Sequence, residues 1–175
     1  MDFTLLRDYC GSPISGFLMS RKLDGWRLGW TGSEYILRGG GVLAVPDAWK
    51  AGMPSCALDG ELDPGAGNFT RIQSMMRDGF HGLSFQVFDA PAAEGGFRKR
   101  LAFLQSLSLP DHVGIIPQIR CRDTQHLIEY ADAICEAGGE GAVVRNPKAR
   151  YVQGRSEDVL KWVPQHPRVN RRRVA

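Results

Sequence analysis

Hydrophobic positions along the chain follow two different spacings, and each spacing predicts one kind of element. Short apolar or alternating runs bounded by Gly, Pro, Asp or Ser are typical of strands, whereas apolar residues that recur every three or four positions are typical of helices. The runs that predict strands are residues 16–20, 27–31, 35–38, 56–62, 83–88 and 141–145. Residues 27–31 and 35–38 are joined by a Gly- and Ser-containing segment, so we expect them to pair as a hairpin.

Two segments have the helical spacing, residues 98–107 and residues 123–137. The second segment has better end signals, because Asp123 or Thr124 can act as its N-cap and Gly138 follows its last periodic position. Its apolar face consists of Leu127, Ile128, Ala131 and Ile134.

Composition favours a globular domain. The chain has 175 residues, of which 43% are hydrophobic and 23% charged, which suits one domain with a buried core. No apolar run approaches the roughly 20 residues that a membrane span needs, and the first ten residues lack the features of a signal peptide. The cysteines contain no Cys-x-x-Cys pair, which disfavours a zinc site or a disulfide framework. We therefore expect a cytoplasmic protein with free thiols.

Positive charge is concentrated near the C-terminus. Residues 145–175 contain nine Lys or Arg and two acids, whereas residues 1–144 contain 13 basic and 17 acidic residues. Basic side chains that neutralise nucleic-acid phosphates release counterions, so a basic end favours nucleic-acid contact, with a solvated end as the alternative. The candidate phosphate contacts at this end are Arg168, Arg171, Arg172 and Arg173.

The most informative segment is Lys22-Leu23-Asp24-Gly25-Trp26-Arg27. A lysine amine attacks phosphorus only in its neutral form, which nearby cations such as Arg21 and Arg27, or partial burial, favour. The spacing therefore predicts that Lys22 is a nucleophile for the α-phosphate of a nucleotide. The alternative is a surface turn, because Asp-Gly is a common turn dipeptide. Asp24, like Asp59 in a later Asp-Gly pair, is expected mainly to shape its loop.

Further motifs follow Lys22 in a fixed order. They are Leu37-Arg38-Gly39-Gly40, Leu58-Asp59-Gly60-Glu61-Leu62, Phe85-Gln86-Val87-Phe88-Asp89, Glu140-Gly141-Ala142-Val143-Val144-Arg145 and Val159-Leu160-Lys161-Trp162. With the lysine segment, they resemble the motifs of the nucleotidyltransferase (adenylation) domain of ATP-dependent DNA ligases. The resemblance extends from about residue 20 to residue 164.

This resemblance implies an α+β nucleotidyltransferase domain, ATP-grasp-like, in which two antiparallel sheets with flanking helices surround an ATP cleft. Residues 1–164 would form this domain, and residues 165–175 a basic tail without an OB-fold domain. The implied enzyme is a monomeric ATP-dependent DNA ligase that uses ATP and Mg²⁺ to seal nicked duplex DNA. AMP would pass from Lys22 to a 5′-phosphate at the nick, and the 3′-hydroxyl would then displace it.

The resemblance also implies roles in nucleotide binding. Glu61 and Arg27 would contact the ribose hydroxyls, and Phe88 would stack on the adenine. Lys161 and Arg38 would bind phosphate oxygens. These roles suit the side chains, because carboxylates accept from hydroxyl groups, aromatic rings stack on bases and cations bind phosphate. Singly, Phe88 is equally suited to a core and Lys161 to a surface.

The remaining implied roles concern metal, adenine and DNA. Glu140 would bind Mg²⁺, together with Glu61. Ser20 stands at the position of an adenine contact, where many relatives carry Glu. Arg71 and Arg77 follow a Gly-rich turn and are candidate contacts to DNA phosphate, with a solvated amphipathic helix as the alternative reading.

Two departures from the family pattern stand out. The fifth ligase motif usually has a second lysine two residues after the first, but this chain has Val163 there. The chain also ends 14 residues after Lys161, where relatives continue into an OB-fold domain. We therefore expect the nick to be recognised by the catalytic domain and its arginine tail, or with the help of an OB-fold or other DNA-binding protein in trans.

Other functions share parts of this pattern. Messenger-RNA capping guanylyltransferases and RNA ligases use the same lysine chemistry, although the capping enzymes usually have Asp-Gly in the fourth motif, where this chain has Glu140-Gly141. NAD-dependent ligases need a preceding nicotinamide-binding domain, and only 21 residues precede Lys22. A different class of protein, a nucleic-acid-binding module that keeps the fold without activity, would form no covalent nucleotide on Lys22.

Overall fold

The computed structural model describes residues 1–65 and 68–164. No helix among these residues combines the length and hydropathy that a bilayer span requires. The strands are β1 (Thr4–Asp8), β2 (Leu18–Arg21), β3 (Trp26–Trp30), β4 (Tyr35–Leu37), β5 (Leu58–Asp63), β6 (Ser84–Asp89), β7 (Val113–Ile115), β8 (Ile119–Arg120), β9 (Ala142–Arg145) and β10 (Gly154–Trp162). The helices are α1 (Asp47–Lys50), α2 (Ile72–Arg77), α3 (Phe97–Gln105) and α4 (Thr124–Glu136), and a 3₁₀ turn at Phe69–Arg71 leads into α2.

The strands form two five-stranded sheets, each with its own core. The first sheet has the order β1-β10-β9-β2-β8, and α4 packs on it through Leu127 and Ala131. The second sheet has the order β4-β3-β5-β6-β7, and its core includes the fully buried Tyr35, Phe85 and Leu104. The α+β fold implied by the resemblance is therefore confirmed.

The prediction that both sheets are antiparallel is wrong, because each contains a parallel pair. β1 pairs in parallel with β10, and β6 pairs in parallel with β7. β1 and β10 lie near opposite ends of the described chain, so no hairpin dictates their relative direction. Between β6 and β7 the chain crosses over through α3, and such a connection returns it in the same direction.

Most of the elements predicted from periodicity are confirmed. β3 and β4 form the expected antiparallel hairpin. α4 begins after Asp123, whose Oδ1 accepts from the backbone N–H of His126 at 2.8 Å. Gly138 follows the helix with a φ of +86°, the left-handed conformation that ends many helices. These elements have strong local signals, which explains why the sequence alone predicts them.

Several strands were not predicted from periodicity, or only in part. β7 and β8 contain only three and two residues, too few to establish a period of two. β1 ends in the charged pair Arg7 and Asp8, which hides its strand pattern. β10 continues five residues upstream of the motif that begins at Val159, through the polar stretch 154–158. These segments are strands because a neighbouring strand supplies their backbone partners.

Candidate active site

Lys22 lies directly after β2, where the chain leaves the first sheet. Its backbone N–H donates to the carbonyl oxygen of Gly141 at 2.8 Å. Gly141 has a φ of +146°, and a Cβ there would lie 2.3 Å from the carbonyl oxygen of Trp162. Glycine is therefore required for this close approach of the chain segments. The same arrangement brings the Lys22 Nζ into an ion pair with Glu140.

The loop after Lys22 packs against β5 of the second sheet. Glu61 Oε1 accepts from the backbone N–H of Gly25 at 2.8 Å. A Cβ on Gly25 would lie 2.2 Å from the carbonyl oxygen of Leu62, so only glycine fits there. Burial raises the pKa of Glu61, while the Gly25 N–H and the Lys22 charge oppose the rise. Besides shaping a loop, the Asp-Gly step therefore joins the segment that follows Lys22 to Glu61 on β5.

A cavity of about 370 Å³ adjoins Lys22 and is lined by residues of both sheets. Three cations in its wall are Arg38, after β4, and Arg155 and Lys161, on β10. Lys161 pairs with the exposed Asp8 at 3.3 Å. No carboxylate within residues 1–65 and 68–164 pairs with Arg38 or Arg155. The charge of its wall therefore suits an anionic ligand. Its complete lining is Leu5, Leu6, Lys22, Arg27, Arg38, Glu61, Arg155 and Lys161.

Glu61 and Glu140, the predicted metal ligands, lie close enough to interact electrostatically. Besides burial, the negative charge of Glu140 helps to raise the pKa of Glu61. The part of the chain that the structure describes contains no cluster of three or more His, Cys, Asp or Glu residues arranged to hold a metal ion. One or two carboxylates are nevertheless what Mg²⁺ typically receives from a protein, because phosphates and water supply the other ligands. The donor set beside Lys22 therefore fits Mg²⁺ that arrives with a nucleotide.

Phe88 lies at a β-bulge, since the ladder between β5 and β6 skips it. A bulge redirects a side chain, and the Phe88 ring packs with Leu23 and Ile116 rather than in the main core of the second sheet. The guanidinium carbons of Arg27 and Arg145 lie 4.7 and 4.4 Å from the ring centroid. That Phe88 stacks on adenine stays a prediction. An adenine there would contact a ring that the guanidinium groups of Arg27 and Arg145 already contact.

Arg27 forms a buried, bidentate ion pair with Asp59. The Nε–Oδ1 and Nη2–Oδ2 distances are 2.8 and 2.7 Å, and the Asp59 side chain is 1% exposed. Burial alone would lower the pKa of Arg27, but the surrounding negative groups, Asp59 foremost among them, together raise it. Asp59 is therefore a buried counter-ion, which corrects the expectation that it mainly shapes a loop.

A second buried ion cluster lies beside the first. Asp89 accepts from Arg100 Nε and Nη2 at 2.7 and 3.0 Å. Arg145 Nη1 lies 3.6 Å from the same carboxylate. All three side chains are less than a tenth exposed. Because Arg145 also contacts Phe88, this cluster supports the Phe88 ring, which is buried and does not line the cavity.

The structure does not bring every predicted residue to the cavity. Ser20 is buried and pairs with Val143 between β2 and β9, and it does not line the cavity. Asp24 lines a smaller cavity of about 170 Å³, which also adjoins Lys22 and Glu140.

The candidate DNA contacts remain predictions. Arg71 and Arg77 are exposed at the ends of the 3₁₀ turn and of α2, away from the residues that line the cavity. Arg168, Arg171, Arg172 and Arg173 lie outside the described residues.

Sequence reasoning missed Arg155 and Tyr151. Arg155 and Lys161 are six residues apart, an even spacing that puts two side chains on one face of a strand. Lys161 was not predicted to lie on a strand, so this signal was not used. Tyr151 had no such signal, because it contacts Asp59 only through the folding of distant segments.

Comparisons with known proteins agree with this geometry. The chain is 38% identical to a DNA ligase of Haemophilus influenzae over 167 residues, which is 91% of the chain and 62% of that protein. Among solved structures, a Lig E DNA ligase matches 94% of the chain with a TM-score of 0.86 and 27% identity, and the match covers 69% of that ligase.

Over about nine tenths of its length, the chain is therefore similar to DNA ligases in sequence and in fold. The Chlorella virus DNA ligase–adenylate shares the fold, with a TM-score of 0.72 and 18% identity over 93% of this chain and 67% of its own. The match to the Haemophilus ligase spans somewhat less than two thirds of that relative. No family model matches the chain.

Proposed function

We propose that the chain carries out the lysine adenylylation and nick-sealing chemistry of an ATP-dependent DNA ligase. The observation that carries this proposal is the position of Lys22 at the wall of a cavity of about 370 Å³ whose cations Arg38 and Arg155 have no carboxylate partner within the described residues. A nucleophilic amine beside unneutralised cations suits attack on a triphosphate, because the cations hold the charged phosphates while the amine reaches phosphorus.

The first step transfers AMP to Lys22. The amine leaves its ion pair with Glu140, gives a proton to water and attacks the α-phosphorus of ATP. The new bond joins Nζ to phosphorus, and the bond from phosphorus to the bridging oxygen of pyrophosphate breaks. Arg38, Arg155 and Lys161 neutralise the phosphate oxygens during this exchange, and Glu61 and Arg27 hold the ribose hydroxyls.

The metal ligands would be Glu140 and Glu61. Mg²⁺, when bound, would supply additional positive charge at the phosphate oxygens. The protein provides the orientation, because Glu61 is held by the Gly25 N–H and Glu140 lies next to Gly141, which is hydrogen-bonded to Lys22.

The later steps reuse the same cations. Displacement at phosphorus places the attacking and leaving groups roughly in line. When Lys22 is the leaving group, the incoming 5′-phosphate must therefore enter from the side by which pyrophosphate left. That side holds the cations that contacted the triphosphate. An oxygen of the 5′-phosphate bonds to the α-phosphorus as the nitrogen–phosphorus bond breaks, and Lys22 takes a proton from water. The 3′-hydroxyl then gives its proton to water and bonds to the 5′-phosphorus, and the bond from that phosphorus to the AMP oxygen breaks.

Intact-mass measurement after incubation with Mg²⁺ and ATP tests the proposal. We expect a mass increase of one AMP, located on Lys22 by peptide mapping, and none in Lys22→Ala. The matched control is Lys50→Ala, because Lys50 forms an exposed ion pair with Glu34 and lies outside the cavity. GTP in a parallel reaction separates this function from guanylyl transfer.

Each outcome has a definite meaning. An AMP adduct that persists in Lys22→Ala would refute the assignment of the nucleophile. An adduct with GMP and none with AMP would favour a capping enzyme. No adduct in folded protein that is not already adenylylated would favour a nucleic-acid-binding module without activity.

The DNA contacts form a separate part of the proposal. The net positive charge of the C-terminal segment suggests that Arg171, Arg172 and Arg173 bind the phosphates of a nicked duplex. Replacing all three with alanine should weaken nick binding and make it less dependent on salt. An unchanged affinity and salt dependence would show that the three arginines do not bind the DNA.

A further inference from the structure

Tyr151 lies between β9 and β10, outside the motifs that identified the nucleotide site. Its hydroxyl donates to Asp59 Oδ2 at 2.7 Å. The same carboxylate oxygen accepts from Arg27 Nη2 at 2.7 Å. Tyr151 therefore reaches Arg27 through a shared, fully buried acceptor.

The hydrogen bonds continue into a closed ring. Arg27 Nη2 also donates to the carbonyl oxygen of Thr4 at 3.0 Å, and the Thr4 N–H donates to the Tyr151 hydroxyl at 3.3 Å. Thr4 belongs to β1 of the first sheet, whereas Arg27 and Asp59 belong to β3 and β5 of the second. The ring thus connects the two sheets, and the residues that follow Thr4, Leu5 and Leu6, line the cavity.

This ring determines which donor of Arg27 is available to a ligand. The Nε and Nη2 groups are bonded to Asp59 and Thr4, whereas Nη1 has no hydrogen-bond acceptor within residues 1–65 and 68–164. Arg27 lines the cavity, and its side chain is 15% exposed. The Nη1 group is therefore the one left to meet a ribose hydroxyl.

We propose that Tyr151 is a positioning residue that holds the Asp59–Arg27 pair so that Arg27 Nη1 meets the ribose of the nucleotide. The proposal rests on the proposed function and deepens it. Burial raises the pKa of the Tyr151 phenol, so the hydroxyl stays protonated and donates to Asp59. Tyr151 itself does not line the cavity, so it acts through Arg27 and not by contact with the nucleotide.

Tyr151→Phe tests the proposal, because it keeps the aromatic side chain and removes the hydroxyl that donates to Asp59. We expect the ATP concentration for half-maximal adenylylation of Lys22 to rise about tenfold, the effect of losing a hydrogen bond to a charged group. The maximal rate should change much less. Tyr35→Phe is the matched control, because Tyr35 is also buried and its hydroxyl donates to the carbonyl oxygen of Trp49, away from the cavity.

Ribose analogues separate positioning from a general loss of stability. Wild-type protein should prefer ATP over 2′-deoxyATP and 3′-deoxyATP, and Tyr151→Phe should reduce at least one of these preferences, whereas Tyr35→Phe should leave both unchanged. Rates are compared at a temperature at which circular dichroism shows all three proteins folded.

The outcomes distinguish this proposal from the proposed function. If wild-type protein forms the adduct and Tyr151→Phe keeps the normal ATP dependence and ribose preference, Tyr151 is not a positioning residue. If Tyr35→Phe matches Tyr151→Phe in both measurements, the effect is one of stability and the proposal is also overturned. If wild-type protein forms no adduct with any nucleotide, both proposals fail.

Discussion

Two groups of cations in this molecule differ in whether a carboxylate neutralises them. Arg27, which is partly buried, and Arg100, which is buried, form bidentate pairs with the buried Asp59 and Asp89. Arg38 and Arg155 line the cavity, and no carboxylate of the described residues pairs with them.

The difference follows from solvation. A buried charge without a partner is so costly that the fold supplies a counter-ion, whereas a cation at a cavity is solvated by water until an anion replaces that water. We therefore expect the buried ion pairs mainly to maintain the geometry of the site, although Arg27 also lines the cavity, and Arg38 and Arg155 mainly to bind the ligand. A substitution in the first group should change stability most, and a substitution in the second should change activity most.

Asp89→Asn should have the largest effect. It removes the carboxylate that serves the buried Arg100 and Arg145, and breaking a buried pair in this way costs about 3–5 kcal/mol in the free energy of unfolding. Urea unfolding measures this change. Glu157→Gln is the control, because it removes an exposed pair with Arg7 and should cost no more than about 1 kcal/mol. Equal changes in the two variants would contradict the division into two groups.

Arg155→Ala should have a smaller effect on stability and a specific effect on activity. The free energy of unfolding should change by no more than about 0.5 kcal/mol, since the side chain is exposed and pairs with no carboxylate among residues 1–65 and 68–164. The rate of Lys22 adenylylation at low ATP concentration should fall about 10–100-fold, the loss of a hydrogen bond to a charged phosphate. Arg98→Ala, at an exposed position outside the cavity, is the control. A stability loss as large as that of Asp89→Asn would place Arg155 with the paired cations.

Glu61→Gln should show the smallest effect, as a dependence of stability on pH. The pKa of Glu61 is raised by burial in the folded protein, so the folded state binds this proton more tightly than the unfolded state, whose pKa is near 4.5. The stability associated with protonated Glu61 is present below pH 4.5 and is lost as the pH rises through the folded pKa. Glu61→Gln should therefore gain stability relative to wild type as the pH rises above this value. A stability difference that is flat with pH would contradict the burial of this charge.

The sequence predicted the local elements and the ligands that lie within motifs. The hairpin of β3 and β4 and the capped helix α4 follow from turn residues, an N-cap and regular apolar spacing, all of which act over a few residues. The motifs placed Lys22, Glu61, Arg38 and Lys161, and the structure brings these side chains to one cavity.

The sequence did not predict the contacts between segments that are far apart. The parallel direction of β1 beside β10 depends on two segments near opposite ends of the described chain, and nothing local in either one encodes it. From the sequence, Asp59 was expected to shape a loop. Its ion pair with Arg27 forms only because β3 pairs with β5, and the sequence pattern does not show this pairing.

The amino-acid sequence by itself determined which side chains are available for chemistry, because the candidate nucleophile, the glycines beside it and most candidate phosphate ligands lie in short motifs whose spacing is visible along the chain. Only the tertiary structure decided which charges are neutralised and which remain for a ligand. The physical reason is that pairing and desolvation depend on distances through space. Arg27 and Arg155 are alike as letters in the sequence, yet one is held by Asp59 and Thr4 and the other lines the cavity without a carboxylate partner among the described residues.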